Sequence, residues 1–357
     1  MSLTRKPILA NRNTSEYFQN VGHADLFEDA SGQWWAAALA WRSGPEGKSY
    51  PMGRETVLTP VVWEREKWPI VAPVRGVQRG WYLPPSKDMP GDGAFLDDPD
   101  IVDFEPNTTI PHNFGFWRWP DTTAYAISPR GYPGTLRLTP SRASITAGWK
   151  NFTAASTYRT PPTSINEEVG VTAFLNQVQN INLGIIMLPD DNEMNSTIST
   201  LKPHFRFLVS GLGGDKKYFS KPSTTLVPQS WLQQAIRLTI RAENATHYTF
   251  YAASASKPRE MHRLGQAPAT VVTGGMGPFT GCQIGVYSTT NGGTGSAEAY
   301  ISRWRYYNIA QEIGNGILVV SDAITSSIYL LSLRYILQLD NVDNKRDCLN
   351  IEQRVNK

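Results

Sequence analysis

Cysteine is almost absent from this chain. It has two, Cys282 and Cys348, in 357 residues. They can pair with each other, but one pair makes no disulfide framework, which excludes a small stapled scaffold. An excess of charge of one sign is missing too. The net charge of +3 and the pI near 8.7 are mild, and the charge is evenly spread. That excludes a surface built for nucleic acid. The opening "MSLTRKPILANRN" has no apolar export-signal core. Five N-x-[ST] triplets, at Asn13, Asn107, Asn151, Asn195 and Asn244, nevertheless hint at a secretory lineage. An export signal of that lineage is therefore not expected within these residues, and the location of this product stays unassigned. No long apolar run is uninterrupted. "GILVVSDAITSSIYLLSLRYILQL" could span a bilayer by length, but Asp322, Arg334 and several serines break it. Its spacing at Ile324, Ile328, Leu331 and Tyr335 reads as an amphipathic helix, or as sequence foreign to the rest, rather than as a membrane span. Familiar catalytic motifs are missing as well: there is no His-Glu-x-x-His, Cys-x-x-Cys, Walker loop or Gly-x-Ser-x-Gly. "SGLGGDKK" and "VTGGMGPF" sit between strand-like segments, so they are turns rather than phosphate cradles.

What is abundant points to β-structure. Eleven Trp, fifteen Tyr, twenty-nine Gly and twenty-five Pro suit short strands joined by many turns, in a chain long enough for two domains. The aromatics serve a core, or present faces for stacking on sugar rings. Within residues 1–73, residues 20–73 read as one small antiparallel sheet. "HADLFED" alternates, "ASGQ" turns, "WWAAALAWR" is the near-continuous apolar strand of a sheet covered on both faces, and "RETVLTPVVWE" with "WPIV" supplies the outer strands. Four strands of this length make one propeller blade, which cannot bury both its faces alone. Residues 74–122, rich in Pro, Gly and Asp, read as a linker. Residues 123–308 run strand after strand: "TLRLTP", "VGVTAFLNQ", "NINLGIIMLP", "HFRFLVSG", "AIRLTIRAE", "HYTFYAAS", "GCQIGVYST" and "AEAYISRWRYYN". In "AIRLTIRAE", Ile236, Leu238 and Ile240 face one way and Arg237, Thr239 and Arg241 the other, as in a half-buried antiparallel strand. The expected fold is all-β, with a β-sandwich as its main body. Residues 309–357 form a separate tail, read as helical.

Several stretches resemble a known family. "GHADLFED…WW…GRETVLTPVVWE…WPIV" is similar to the last blade of glycoside hydrolase family 43, in the fungal β-xylosidase and α-L-arabinofuranosidase branch. "DFEPNTTIPHNFGFWRWP", "GTLRLTPSR", "GVTAFLNQVQNINLGIIML" and "FTGCQIGVYSTTNGG…AEAYISRWRYYN" resemble the concanavalin-A-like sandwich, of jelly-roll type, that follows the propeller there. The resemblance covers about residues 7–308, in family order. It implies a five-bladed propeller that hydrolyses the ends of xylan or arabinoxylan oligosaccharides with inversion. In that mechanism one carboxylate is the base for water, a second is the acid, and the two stand about 6.5–9.5 Å apart. Those groups come from blades upstream of the His-Ala-Asp blade, so no catalytic residue is expected in this chain. The resemblance assigns His23 to the propeller axis, where it supports a calcium ion or water. It assigns Arg54 to the sugar in the glycone subsite and Phe279 to an aromatic on the pocket rim. Between "TLRLTPSRASI" and "EEVGVTAFL" the family carries about one more strand, and its absence is expected to leave an open edge or a gap. The tail after Asn308 has no counterpart in the family.

Taken without the resemblance, His23 reads as a structural histidine, Arg54 as a surface arginine and Phe279 as core. Asp25, Glu28, Asp29 and Glu55 show no pattern that singles out a general acid. Three functions follow: a family 43 pentosidase portion that is inactive alone, a glycan-binding sandwich using Trp117, Trp119 and Trp149, or one half of an enzyme completed by a separate propeller fragment. The blade is expected to expose an apolar patch at Trp34, Trp35, Leu39 and Trp41.

Overall fold

The computed structural model describes residues 7–48, 50–76, 80–82, 84, 99–146, 164–189, 200–211, 221–244, 246–274, 280–307, 310–314, 317–320 and 334–339. The chain forms two compact units. The first holds Met1–Gly91, Thr273–Cys282 and Ala310–Val320; the second holds Asp92–Val272, Gln283–Ile309 and Ser321–Lys357.

The first unit is built on a four-stranded antiparallel sheet in chain order: β1 (Gly22–Glu28), β2 (Trp34–Ala40), β3 (Glu55–Val62) and β4 (Ile70–Val71). Asp29 closes the first hairpin. Its Oδ1 accepts from the Ser31 amide, the Ser31 hydroxyl and the Gln33 amide at 2.8, 2.6 and 3.1 Å, the local capping that favours Asp in turns. Its Oδ2 accepts from the Trp35 indole at 2.7 Å, which ties the turn to the strand it launches. One sheet face, carrying Ala36, Ala38 and Ala40 beside Val57, Thr59 and Val61, is covered. A cluster of Tyr17, Phe18, Ala40 and Val74 packs there, with Leu9, Val21 and Val57 against it. Asn11, wholly buried, fastens this cover. Its amide nitrogen donates to the carbonyls of Phe18 and Val74, both at 2.7 Å. The other face carries Phe27, Leu58, Val62 and Ile70, which stay between 42 and 69% exposed.

The exposed apolar surface is thus real, but its members differ from those expected. Trp35 is buried, and Trp34, Leu39 and Trp41 are half-buried. Trp34 turns its ring onto the edge of Trp63, with centroids 4.7 Å apart. A tryptophan covers itself with its neighbours, whereas a β-branched or leucine side chain on a bare strand has nothing to fold back on.

The second unit is a sandwich. One sheet has five strands in the order β11 (Ser223–Leu226), β10 (Leu201–Ser210), β9 (Gln179–Pro189), β8 (Glu168–Asn176), β15 (Gln283–Thr289). The other runs β14 (His262–Pro268), β13 (His247–Ser254), β12 (Ile236–Asn244), β19 (Arg334–Leu339), β16 (Ala299–Tyr307), β7 (Leu136–Leu138), β6 (Tyr125–Ile127), and β5 (Asp100–Val102) also pairs with β16. The core lies between Val169, Val171, Ala173, Ile181, Leu183 and Ile185 of the first sheet and Ile236, Leu238, Ile240 and Phe250 of the second. Phe207 meets Phe250 across it with centroids 5.4 Å apart. Gly265 is needed beneath Phe207, because a Cβ there would sit 2.3 Å from the ring. The alternation read in "AIRLTIRAE" is that of β12.

The β-sandwich and its eight sequence-legible strands agree with expectation. Before the tail, four strands escaped the reading. β5, β6 and β11 have three or four residues each, too few to show a period, and β14 carries His, Arg and Gln. β5 lies within the stretch read as linker, so the larger sheet begins before residue 123. The tail differs most. β17 (Ala310–Gly314) and β18 (Ile317–Val320) form a hairpin, and β19 stands inside the larger sheet. Of the helical spacing, Ile324, Ile328 and Leu331 lie outside the described residues, and Tyr335 is in a strand. The stretch between β7 and β8, where an open edge or a gap was expected, lies mostly outside the described residues.

Candidate functional site

The loop from β2 to β3 builds the site-like corner of the first unit. Arg42, just past β2, grips Glu55 at the start of β3 with two parallel bonds, Nε to Oε1 at 2.6 Å and Nη2 to Oε2 at 2.8 Å. The fork fixes both groups, as paired arginine and carboxylate planes do. A small cleft beside it is lined by Trp41, Arg42, Lys48, Tyr50, Gly53, Gly274 and Thr280. Gly53 has φ +68, and a Cβ on it would meet the Gly281 nitrogen at 2.4 Å, so only glycine allows that approach. The Cys282 amide donates to the Pro51 carbonyl at 2.7 Å and pins the Thr280–Cys282 segment on the loop. Arg54 follows Gly53 directly and is exposed. Phe279 lies outside the described residues, but its chain neighbour Thr280 lines this cleft.

His23 sits in a β-bulge, where the register of β1 shifts between Gly22 and Asp25. Its φ is +52, and the ring is exposed. A bulge re-aims a side chain and ends regular pairing. Among the described residues no three His, Cys, Asp or Glu side chains gather to hold a metal ion. Calcium takes six to eight oxygens, and no cluster of side-chain ligands surrounds His23 among the described residues. Asp25, Glu28, Asp29 and Glu55 do not form an acid–base pair either. Asp25 and Glu28 lie three positions apart on one strand, hence on opposite faces. Glu55 is held by Arg42. Asp29 is lowered to about 2, chiefly by the Ser31 hydroxyl and the Trp35 indole, so it is an ionised acceptor, the opposite of a general acid.

In the sandwich, Trp119 is 83% exposed, while Trp117 turns its edge to Phe174 at 4.9 Å between centroids; Trp149 lies outside the described residues. A buried polar cluster that the sequence reading missed occupies the outer face of the five-stranded sheet. Glu168 pairs with Arg206 through both nitrogens of the fork, accepts from Tyr287 Oη at 2.8 Å and from Asn291 Nδ2 at 3.0 Å. Burial, and then the Glu168 charge, push the Tyr287 phenol well above its usual range, so it stays a neutral donor. The arrangement ties β8 to β10 and to β15. Its signals in sequence were a charged residue opening the apolar run "EVGVTAFL" and the arginine inside "HFRFLV".

Comparison with known proteins finds relatives for both units. The family model for Glycosyl hydrolases family 43 matches residues 2–69. The model for the Beta xylosidase C-terminal Concanavalin A-like domain matches residues 102–307. A non-reducing end alpha-L-arabinofuranosidase of Bacteroides ovatus, BoGH43B, is 25% identical over 301 residues, which cover 80% of this chain and 51% of that one. A xylosidase/arabinosidase of Butyrivibrio fibrisolvens is 27% identical over 306 residues, covering 81% and 53%. Among solved structures, the xyloglucan-locus GH43B of Bacteroides ovatus superposes with a TM-score of 0.62 at 25% identity, covering 83% of this chain and 55% of that one. The xylan beta-1,4-xylosidase of Bacillus halodurans superposes at 0.61 and 18% identity, covering 85% and 57%, and so speaks for the fold alone. The chain spans about half the length of the relatives it matches. With residues 2–69 matching the Glycosyl hydrolases family 43 model and the larger match covering more than half of the residues, this chain belongs to the family of the Beta xylosidase C-terminal Concanavalin A-like domain.

Proposed function

We propose that this chain is the C-terminal portion of a pentosidase acting on the ends of xylan or arabinoxylan oligosaccharides. It supplies one wall of the sugar site, and its acid and base stand on propeller blades that are not among its residues. In this reading Arg54 donates its fork to the glycone hydroxyls and Phe279 borders the pocket. The observation that carries it is the packing of Thr280–Cys282 on Pro51–Gly53, which brings the chain next to Phe279 beside the loop that bears Arg54. The carboxylates of the blade support the same division of labour, since Asp29 is depressed and Glu55 is already paired. The chain alone then has no turnover of aryl β-xylosides or aryl α-L-arabinofuranosides, because lost acid–base help typically removes about 10²–10⁴-fold. Turnover by the purified chain that disappears in Asp25→Asn or Glu28→Gln overturns this reading. Restored turnover on adding a separately made fragment of the upstream blades, lost again in Arg54→Ala, supports it.

A second reading is a glycan-binding sandwich, favoured by the bare indole of Trp119. Retention of the full chain on insoluble xylan, abolished by Trp119→Ala and unaffected by Arg54→Ala, selects it over the first.

A further inference from the structure

The larger sheet of the sandwich contains a strand that arrives from far along the chain. β19 pairs with β12 without interruption, from Ile236 opposite Leu339 to Arg241 opposite Arg334. On its other side it pairs with β16, from Ile301 opposite Leu339 to Tyr307 opposite Arg334. The register on the β16 side shifts between Ser302 and Arg305, where Arg303 takes φ +56 and absorbs the extra residue. Both ladders are antiparallel, so β12 and β16 run parallel to each other. All the other strand pairs of the sheet are antiparallel.

This geometry defines a slot. Without an intervening strand, the amides and carbonyls of β12 and β16 that face it lose their partners, and buried backbone groups do not stay unpaired. The two strands cannot simply close on each other as a hairpin pair would. They could meet only in a parallel ladder, whose slanted hydrogen bonds differ from those each strand makes on its other side. The slot therefore takes one strand, antiparallel to both neighbours. It also selects a pattern. Ile236, Leu238 and Ile240 are buried in the core, while Arg237 and Arg241 lie on the opposite face. The register sets Leu339, Leu337 and Tyr335 opposite the three core residues, and Gln338, Ile336 and Arg334 opposite Arg237, Thr239 and Arg241. The segment "RYILQL" has Tyr335, Leu337 and Leu339 in the phase the slot requires, and its one apolar residue out of phase, Ile336, stands opposite the buried Thr239.

We propose that Arg334–Leu339 is a complementing strand: the tail of this chain, in cis, supplies the central strand of this sheet between β12 and β16. The slot is thus a strand-binding surface whose occupant is the chain's own C-terminal segment. The tail is then part of the folding unit of the sandwich, and its loss opens two facing strand edges, which are templates for pairing with other chains.

The test uses the full chain with Cys282→Ser and Cys348→Ser as background. Arg237→Cys with Gln338→Cys joins residues that face each other in the register. Arg237→Cys with Arg334→Cys places the second thiol four positions along the strand, about 13 Å away. A short bis-thiol-reactive reagent at high dilution is expected to link the first pair within one molecule and to leave the second unlinked. Equal linking of both pairs, or linking of neither, overturns the proposal. Links found only between two molecules overturn assembly in cis and assign the slot to a second copy. Hydrogen exchange on the unmodified chain is the second measurement. Amides of Ile236–Arg241, Ile301–Tyr307 and Arg334–Leu339 are expected to be protected together. In Ile336→Pro, protection of Ile236–Arg241 is expected to be lost while that of the central strands β8 and β9 remains. Rapid exchange of Arg334–Leu339 in the unmodified chain, beside a protected β12, sinks the idea even if the proline variant fails to fold.

Discussion

At Asp29, one carboxylate accepts from two amides, a hydroxyl and an indole, and its pKa falls from the ordinary 3.8 to about 2. A pKa that is lower in the folded chain than in the unfolded one means stability that is fully present above the ordinary value and disappears as pH falls through the folded one. The blade is therefore expected to lose an increment of stability between pH 3.8 and about 2 that Asp29→Asn does not show. Tryptophan fluorescence of the two proteins across that window checks it, and parallel profiles would remove the role given to the turn. Gly53 offers a second residue-scale test. A methyl group there meets backbone at 2.4 Å and occupies φ +68, so Gly53→Ala is expected to cost about 1–3 kcal/mol and to release Thr280–Cys282 from Pro51. In a Cys348→Ser background, faster reaction of the Cys282 thiol with a disulfide reagent reports that release. Asp29 was legible in sequence as a turn residue before "WWAAALAWR". The partner of Gly53 was not, because Thr280–Cys282 is more than two hundred residues away along the chain.

Among the elements, β8 shows how far a pattern can mislead. Its run "EVGVTAFLN" is buried at every position, yet only one of its faces is apolar. On the other, the Thr172 hydroxyl donates to Asn182 Oδ1 at 2.6 Å, Asn182 Nδ2 to Asn180 Oδ1 at 2.6 Å, and Asn180 Nδ2 to the Asn176 carbonyl at 3.0 Å. Glu168 ends this face with its side chain 1% exposed and Arg206 across it. Removing one partner of such a pair leaves a buried charge, so Glu168→Ala is expected to destabilise the sandwich by about 3–5 kcal/mol in urea titrations. Gly184 lies under the same carboxylate, where a Cβ would be 2.4 Å from Glu168 Oε1. Gly184→Ala should therefore disturb the cluster without touching a charge. The apolar face obeys the simpler rule: Ile240→Ala, at a fully buried position of β12, is expected to cost about 2–5 kcal/mol.

For the whole molecule, the question is what the bare side of the blade meets. Phe27, Leu58, Val62 and Ile70 share one face of the small sheet, and Trp68 is 76% exposed close by in sequence. An apolar patch of this kind marks a partner surface or a route to aggregation. Under the proposed function its partner is a further propeller blade. Leu58→Lys with Ile70→Lys is then expected to lower dye binding and self-association of the chain, measured by size-exclusion chromatography. The same change should weaken its association with an upstream-blade fragment. A chain that is already monomeric and dye-silent would show the face to be covered.

The amino-acid sequence by itself determined the class of fold and most of the ladder. Alternation in "AIRLTIRAE" and "NINLGIIMLP", with turn residues between such runs, requires half-buried antiparallel strands whatever they pack against, because side chains on a strand alternate faces by covalent geometry. It also marked the blade, since four such runs in the first 73 residues leave a sheet with more apolar surface than it can cover. Tertiary structure alone decided where Arg334–Leu339 went. Tyr335 belongs both to a helical spacing with Ile324, Ile328 and Leu331 and to an alternating triplet with Leu337 and Leu339. A segment with two acceptable periods takes the one whose hydrogen bonds and apolar face find partners. Here two parallel strands, β12 and β16, stand on either side of it, and only an extended chain antiparallel to both satisfies them.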